Sequence, residues 1–473
     1  MILEIILFLS LVLILRHWLK RTKGLPPGPL RYPIFGSGFT FHLKKVEYYQ
    51  KKYGDVFMLE FAGRKLLYIC DYKLMKDALG RTEFSDRPNL ERFHFMTDGR
   101  ESGLRYDLHD EEVCDFIKIM KRLQEDAFGF FILETCPILK KILPKYVINK
   151  FFRMEILDHT VAATKKLFGK TIEARKAELD INHAENVIDE YLIQMNDKTE
   201  IAEFFNEEDL MTVIFDLFSA GFETTSIMLR WMILYAAKYP DVQKRVQEQI
   251  DEVVPRGEFP TNQHKSQSLL VYLLVFIMFV LSLFVVNISW LFLIYLPCLD
   301  LLLCLFFCYT TGPLFLATSN GHFNFRLPLL EAFIHEVLRV SSLLPYGVLH
   351  ATGANTHLAG YLVPKGALVF AVSGFSHQDP RYWESSQEFR IERFLDEEGK
   401  FIPHKEGFTP FSIGKRNCLG ESLARMELSI FSAALFQNFT FSPLEGREID
   451  LTPQNAPLVN LAQDQGILIS ARN

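Results

Sequence analysis

Residues 1–15 are apolar except for Glu4 and Ser10, and Arg16, His17, Lys20, Arg21 and Lys23 follow at once. An apolar run with basic residues on its C-terminal flank predicts an N-terminal membrane anchor over 1–21, with the flank on the cytoplasmic side. An interfacial helix is the alternative. Leu25-Pro26-Pro27-Gly28-Pro29 can be neither helix nor central strand and reads as a stiff spacer. Helical spacing over 42–53 is followed by two alternating runs, Val56–Phe61 and Lys65–Cys70, which predict a hairpin around Ala62-Gly63. Tyr72–Gly80 returns to helix, and 108–200 reads as amphipathic helical segments broken at Pro137, Pro144 and 196–200. A long helix is predicted from Glu207 to about Lys238, and another over Val242–Val254. Short strands are expected around Leu358–Gly366 and over Ala367–Val372, and the residues after Cys418 regain helical spacing.

One block breaks the pattern. Between Lys265 and Arg326 the only formally charged residue is Asp300. Leu269–Leu296 is long enough to span a bilayer and Leu299–Leu316 is almost so. The block at about 267–325 therefore reads either as a transmembrane hairpin or as translated non-coding sequence.

Composition narrows the class. With 473 residues the chain can bury a large core, and 43 phenylalanines suit a large apolar cavity or a membrane surface. A net charge of −6 gives no sign of a nucleic-acid surface. Seven cysteines at irregular spacing do not form a disulfide framework, so the main body is expected in a reducing compartment.

The chemistry concentrates in a few stretches. Phe411-Ser-Ile-Gly414-Lys-Arg416-Asn-Cys418-Leu-Gly420 presents one cysteine in a turn that opens a helix. Backbone N–H groups and the positive end of a helix stabilise a thiolate, which makes Cys418 a candidate metal ligand. Gly414 and Gly420 allow a sharp bend and close approach of a flat ligand, and Phe411 would cover the sulfur. Taken alone, Cys418 could equally be a small buried apolar residue. In mid-helix, Ala220-Gly221-Phe222-Glu223-Thr224-Thr225 is locally unfavourable, and an opened turn with an acid beside an alcohol can relay protons. A kink with a satisfied Thr hydroxyl is the alternative. Glu336 and Arg339 share one helix face, and Arg393 follows in Ile391-Glu-Arg-Phe394. Alone, Arg87, His350 and Arg416 are ordinary surface residues.

Together these stretches are more specific. The spacing Phe411-x-x-Gly414-x-x-x-Cys418-x-Gly420 resembles the haem-binding loop of the cytochrome P-450 family. Further matches stand in the family's order: the proline hinge, Phe84-Ser-x-Arg87-Pro88, the Glu223-Thr224 group, Glu336-x-x-Arg339 and Glu392-Arg393-Phe394. The resemblance covers about 30–88 and 105–473 apart from the hydrophobic block, and is nearest to animal microsomal members of the second family. It implies a mainly α fold with small β portions, a triangular haem domain over 22–473 behind the anchor. It implies haem b with Cys418 as the iron ligand, and propionate contacts from Arg87, His350 and Arg416. Phe411, Gly414 and Gly420 would shape the loop, Thr224 and Glu223 would carry protons to bound O2, and Glu336, Arg339 and Arg393 would be structural.

The implied activity is oxygen insertion into a small lipophilic substrate: a steroid, a fatty acid or a foreign compound. Electrons would come from NADPH–cytochrome reductase, with cytochrome b5 as a second donor, at the endoplasmic reticulum membrane with the catalytic domain facing the cytosol. In two places the sequence departs from the family. Nothing in the family calls for the hydrophobic block. The family's Trp-x-x-x-Arg helix is missing between Pro88 and Pro144, and 89–104 looks like the scar of a deletion. Three rival readings follow: an inactive or mis-spliced product of such a gene, a peroxide-rearranging isomerase on the same fold, and a multi-span membrane protein without haem.

Overall fold

A computed structural model of the chain describes residues 24–29, 36–37, 45–61, 63–87, 142–152, 154–184, 186–196, 205–256, 327–454 and 458–472, with isolated positions 12, 115, 119, 122, 133 and 260. Apart from Val12, the expected anchor lies outside the described residues, as do the hydrophobic block and 89–104.

Helix α1 (Val46–Tyr53) leads into the predicted hairpin, β1 (Val56–Phe61) and β2 (Arg64–Ile69), with Gly63 at φ +82 in the turn. Helix α2 (Tyr72–Gly80) is capped by Asp71, whose side chain accepts from the Leu74 N–H at 2.9 Å. Then come α3 (Lys145–Phe152), α4 (Met154–Glu178) and α5 (Val187–Asn196). The predicted long helix is continuous but built in three parts: α6 (Glu207–Phe218), a widened π turn (Ser219–Glu223) and α7 (Thr224–Lys238). Pro240 and Pro328 occupy the first turns of α8 (Pro240–Val253) and α9 (Pro328–Ser341), where a missing N–H costs nothing. Strands β3 (His350–Ala351), β4 (Thr356–Leu358), β5 (Tyr361–Val363) and β6 (Leu368–Ala371) precede α10 (Glu421–Asn438), and β7 (Phe439–Pro443) and β8 (Ile467–Ala471) close the chain.

Among the described residues the architecture is mainly helical with three small sheets, as expected. The largest sheet runs β1-β2-β6-β3, with β2 and β6 parallel, so chain segments about 300 residues apart share one ladder. Its inner face stacks Phe57 on Tyr68 and Tyr68 on Phe370 at centroid spacings of 5.0 and 4.7 Å. The main core lies among α7, α8, α9 and α10, where Trp231, Phe333, Trp383, Phe394 and Phe436 are fully buried. Each such side chain contributes roughly 1.5–3 kcal/mol on burial. Among the described residues one helix, Asp209–Lys238, is long and apolar enough to cross a membrane. It is the helix that carries Glu223 and Thr224, and its C-terminal half is seated in this core.

Candidate haem site

The cysteine loop is fixed by its own backbone and by α2. The Cys418 N–H donates to Phe411 O at 2.9 Å, closing a loop in which Ser412 and Gly414 both lie in the left-handed region, at φ 63 and 87. A Cβ on Gly414 would fall 2.2 Å from Leu79 O, so the loop can dock on the end of α2 only with glycine there. The Lys415 N–H donates to Leu79 O, Lys415 Nζ to Thr82 Oγ1 at 2.7 Å, and Arg416 Nε to Ser85 O at 3.1 Å. Gly420 has an ordinary φ of −82, and a Cβ there would meet nothing within 4 Å. Its role as a bend is not seen; the space around it is open.

Cys418 is exposed and free, three residues ahead of the first turn of α10. The sequence places it where a thiolate forms easily. Its thiol is pushed above its ordinary range. Although the residue counts as exposed, protein packed around the sulfur makes desolvation the leading cause, the Gly420 N–H opposes it, and the Glu421 carboxylate adds to it. Cys70, at the end of β2, is buried and its thiol lies well above the ordinary range, so the two are chemically unlike. The Phe411 ring lies against the Arg425 guanidinium, whose Cζ is 4.8 Å from the ring centroid.

The π turn opens the long helix at the predicted place. Thr224 Oγ1 donates to Ala220 O at 2.6 Å, and Ser226 Oγ to Glu223 O at 2.9 Å. Gly221 is exposed and a Cβ on it would meet nothing within 4 Å, so the widened turn borders free space. Such turns recur at functional sites. Thr225, one residue on, donates from Oγ1 to Glu427 Oε2 of α10 at 2.9 Å. The helix that follows Cys418 is thereby tied directly to the opened helix.

Three basic side chains, far apart in sequence, meet beside the loop. Residue 86 bridges residue 351, which brings Arg87 next to β3. Arg87 Nη1 donates to Leu349 O at 3.0 Å, and His350 Nδ1 donates to Phe84 O at 3.0 Å. The imidazole is held down to about 4, by burial first, then by the Arg87 and Arg416 guanidiniums, while its bond to Phe84 O works against them. His350 is therefore neutral at pH 7 beside two cations. Arg416 is exposed and forms no ion pair among the described residues. The two guanidiniums can donate to anionic oxygens; the neutral imidazole has spent its one proton on Phe84 O and would join them only on taking up a second.

The Glu336, Arg339 and Arg393 group is different in kind. Glu336 and Arg339 side chains are 0% exposed and paired through two contacts of 2.8 Å. The other Arg339 donors go to His377 O, Ser386 O and Glu388 O, so all five N–H groups are used. Arg393 Nε approaches Glu336 Oε1 at 3.3 Å, and the Arg390 N–H donates to the same oxygen. His377 completes the latch: Nε2 accepts from the Thr409 N–H at 2.9 Å and Nδ1 donates to Ser342 Oγ at 3.0 Å. Nothing in the sequence pointed to His377, Glu427, Arg425 or His335, because each works through a partner at least 30 residues away.

The family model for cytochrome P450 matches residues 26–104, 102–278 and 325–468. The chain belongs to the cytochrome P450 family. It is 30% identical to Cytochrome P450 2L1 of Panulirus argus, with 90% of each chain covered. Against Cytochrome P450 2B4 of Oryctolagus cuniculus it is 26% identical over 98% of this chain and 97% of the relative, and against Cytochrome P450 2J2 of Homo sapiens 27% over 91% and 88%. As a P450 it is a haem-thiolate monooxygenase, an oxidoreductase that takes electrons from a redox partner and acts with O2 on a substrate. The residues present suit such a group: an accessible cysteine, open space at Gly420, and the exposed Arg416 guanidinium beside the loop.

Proposed function

We propose that Cys418 holds the iron of haem b, and that Arg87, His350 and Arg416 bind its propionate groups. The observation that carries this reading is the convergence of the cysteine loop with that basic donor set. The bound haem supplies the activation of O2 for oxygen insertion into a C–H bond of a lipophilic substrate. The chain's own part is to keep the sulfur in a closed loop, to neutralise the propionates, and to manage protons. Thr224 Oγ1 holds a proton at the mouth of the π turn, shared with Ala220 O. Turning away from that carbonyl presents it to a ligand, and the neighbouring Glu223 carboxyl can replace it.

The same reading assigns electrons to NADPH–cytochrome reductase, with cytochrome b5 as a second donor. It puts the chain at the endoplasmic reticulum membrane, anchored by 1–21, with the catalytic body in the cytosol. Steroids, fatty acids and foreign lipophiles are the substrate classes. The block at 267–325 is read as translated non-coding sequence, such as a retained intron, and the gap in the family match between 278 and 325 supports that. Residues 89–104 are read as the trace of a deletion. Sequencing transcripts across codons 265–327 tests the first point; a message carrying the block in most tissues would refute it.

The deciding experiment is the carbon monoxide difference spectrum of reduced membranes containing the full chain. The far-red band of a thiolate complex is expected, and Cys418→Ser should abolish it. A Cys418→Ser chain with an unaltered band would remove the basis of this reading, and a pigment-free wild type would point to an inactive product.

A further inference from the structure

Behind the cysteine loop a buried imidazole is joined to the loop by a chain of contacts. His335, on α9, is 2% exposed and ringed by Phe394, Phe401 and Phe408. Its Nδ1 lies 2.8 Å from Glu331 O, and its Nε2 lies 2.5 Å from Arg425 Nη1 on α10. A carbonyl only accepts and a guanidinium only donates, so these partners fix one tautomer: Nδ1 carries the proton and Nε2 accepts. Arg425 is also held by Glu421, through Nε at 2.9 Å and Nη2 at 2.8 Å, and its Cζ lies over the Phe411 ring. Phe411 O in turn receives the Cys418 N–H. Each link in this series constrains the next, from the core of α9 to the main chain of the cysteine.

We infer that His335 is a positioning residue for the cysteine loop, acting through Arg425 and the ring of Phe411. It makes no contact with the sulfur itself. Its work is to accept one guanidinium N–H between α9 and α10, so that the cation stays over Phe411 rather than turning outward to water. The loop carbonyl that closes on Cys418 then keeps one position. Without that acceptor the half-buried guanidinium loses its tie to α9, and its seat over Phe411 and the loop loosen together. The inference rests on Cys418 being the haem ligand.

The test uses the full chain in membranes, loaded with haem, reduced and saturated with carbon monoxide at fixed pH. The readout is the rate at which the far-red thiolate band converts to the thiol-ligated form. His335→Phe should accelerate conversion about tenfold, the loss expected for one buried bond to a charged group. His335→Gln, whose carbonyl can still accept from Arg425, should stay within about twofold of wild type. Ser429→Ala removes a neighbouring bond between the same two helices, from Ser429 Oγ to Glu331 Oε1, without touching Arg425, and should also stay within about twofold. Should His335→Phe accumulate no pigment, Arg425→Gln replaces it and should show the same acceleration. A wild-type rate in His335→Phe or Arg425→Gln overturns the inference. So does equal acceleration in Ser429→Ala or in His335→Gln, since the effect would then be general loosening of α9 against α10. If the wild type itself lacks the thiolate band, the assignment of Cys418 falls and this inference with it.

Discussion

Two groups of arginines sit within the same haem domain and are finished differently. Around Glu336 the charges are closed: Arg339 is 0% exposed, every N–H has an acceptor, and its guanidinium lies 5.2 Å from the centre of the Trp383 ring. Around His350 the charges are less enclosed: Arg87 Nη1 and Arg416 Nε hold main-chain carbonyls of neighbouring segments, and Arg416 is exposed with no ion pair among the described residues. A buried charge left unmatched is costly, so a structural cluster must satisfy itself within the chain. A cluster meant for an anionic ligand must instead leave part of its capacity unused. On the proposed reading, that difference distinguishes scaffold from site where residue type alone does not.

The largest effect should come from breaking the closed group. Glu336→Gln leaves the Arg339 and Arg393 cations buried without their counter-charge and should lower stability by about 3–5 kcal/mol, read as a fall in denaturation midpoint and loss of assembled protein. Next is pH. His377 is held down to about 3, by burial first and then by Arg339, and His350 to about 4. Both stay neutral when folded, while the unfolded chain takes up protons below about 6.5. The stability they contribute is complete above that pH. It is lost as pH falls from about 6.5 towards 4 for His350 and towards 3 for His377, by up to about 1.4 kcal/mol per pH unit for each. Haem loading should flatten the His350 part, because propionates would raise its basicity, and leave the His377 part as it is; unfolding series between pH 4.5 and 7 on His350→Gln and His377→Gln would separate them.

Opening the open group further should cost the ligand rather than the fold. Arg416→Gln is expected to shift stability by less than about 0.5 kcal/mol while haem dissociates about tenfold faster in a transfer assay. Equal loss of stability and haem would erase the distinction between the two groups. The smallest effect is expected at the surface: Arg245 and Glu392, both about half exposed, are 2.8 Å apart, and Arg245→Ala should change stability by about 0.2–1 kcal/mol and leave the pigment unaltered.

The elements themselves were largely legible. Period-two alternation placed the β1–β2 hairpin and its Gly63 turn, and apolar periodicity placed α2, α6–α7, α8 and α10 within a few residues. Locally unfavourable residues flagged the π turn, since Gly221 beside Thr224 and Thr225 weakens a regular helix wherever it stands. The closed group was only half legible. A Glu and an Arg at i, i+3 usually lie exposed, and no spacing shows that Glu336 and Arg339 would be sealed under Trp383. The desolvation that raises the Cys418 thiol comes from packing and not from its neighbours in sequence, so no local pattern shows it.

By itself the sequence determined the helices, the hairpin, the cysteine loop and the order of the family's motifs, because caps, glycines and periodicity act over a few residues. Only the tertiary structure decided which basic residues share one site, that His335 reaches Arg425, and that Thr225 ties the opened helix to the one behind Cys418. Those outcomes depend on the approach of segments up to about 300 residues apart, and burial and hydrogen bonding are set by that approach and not by the residues one at a time.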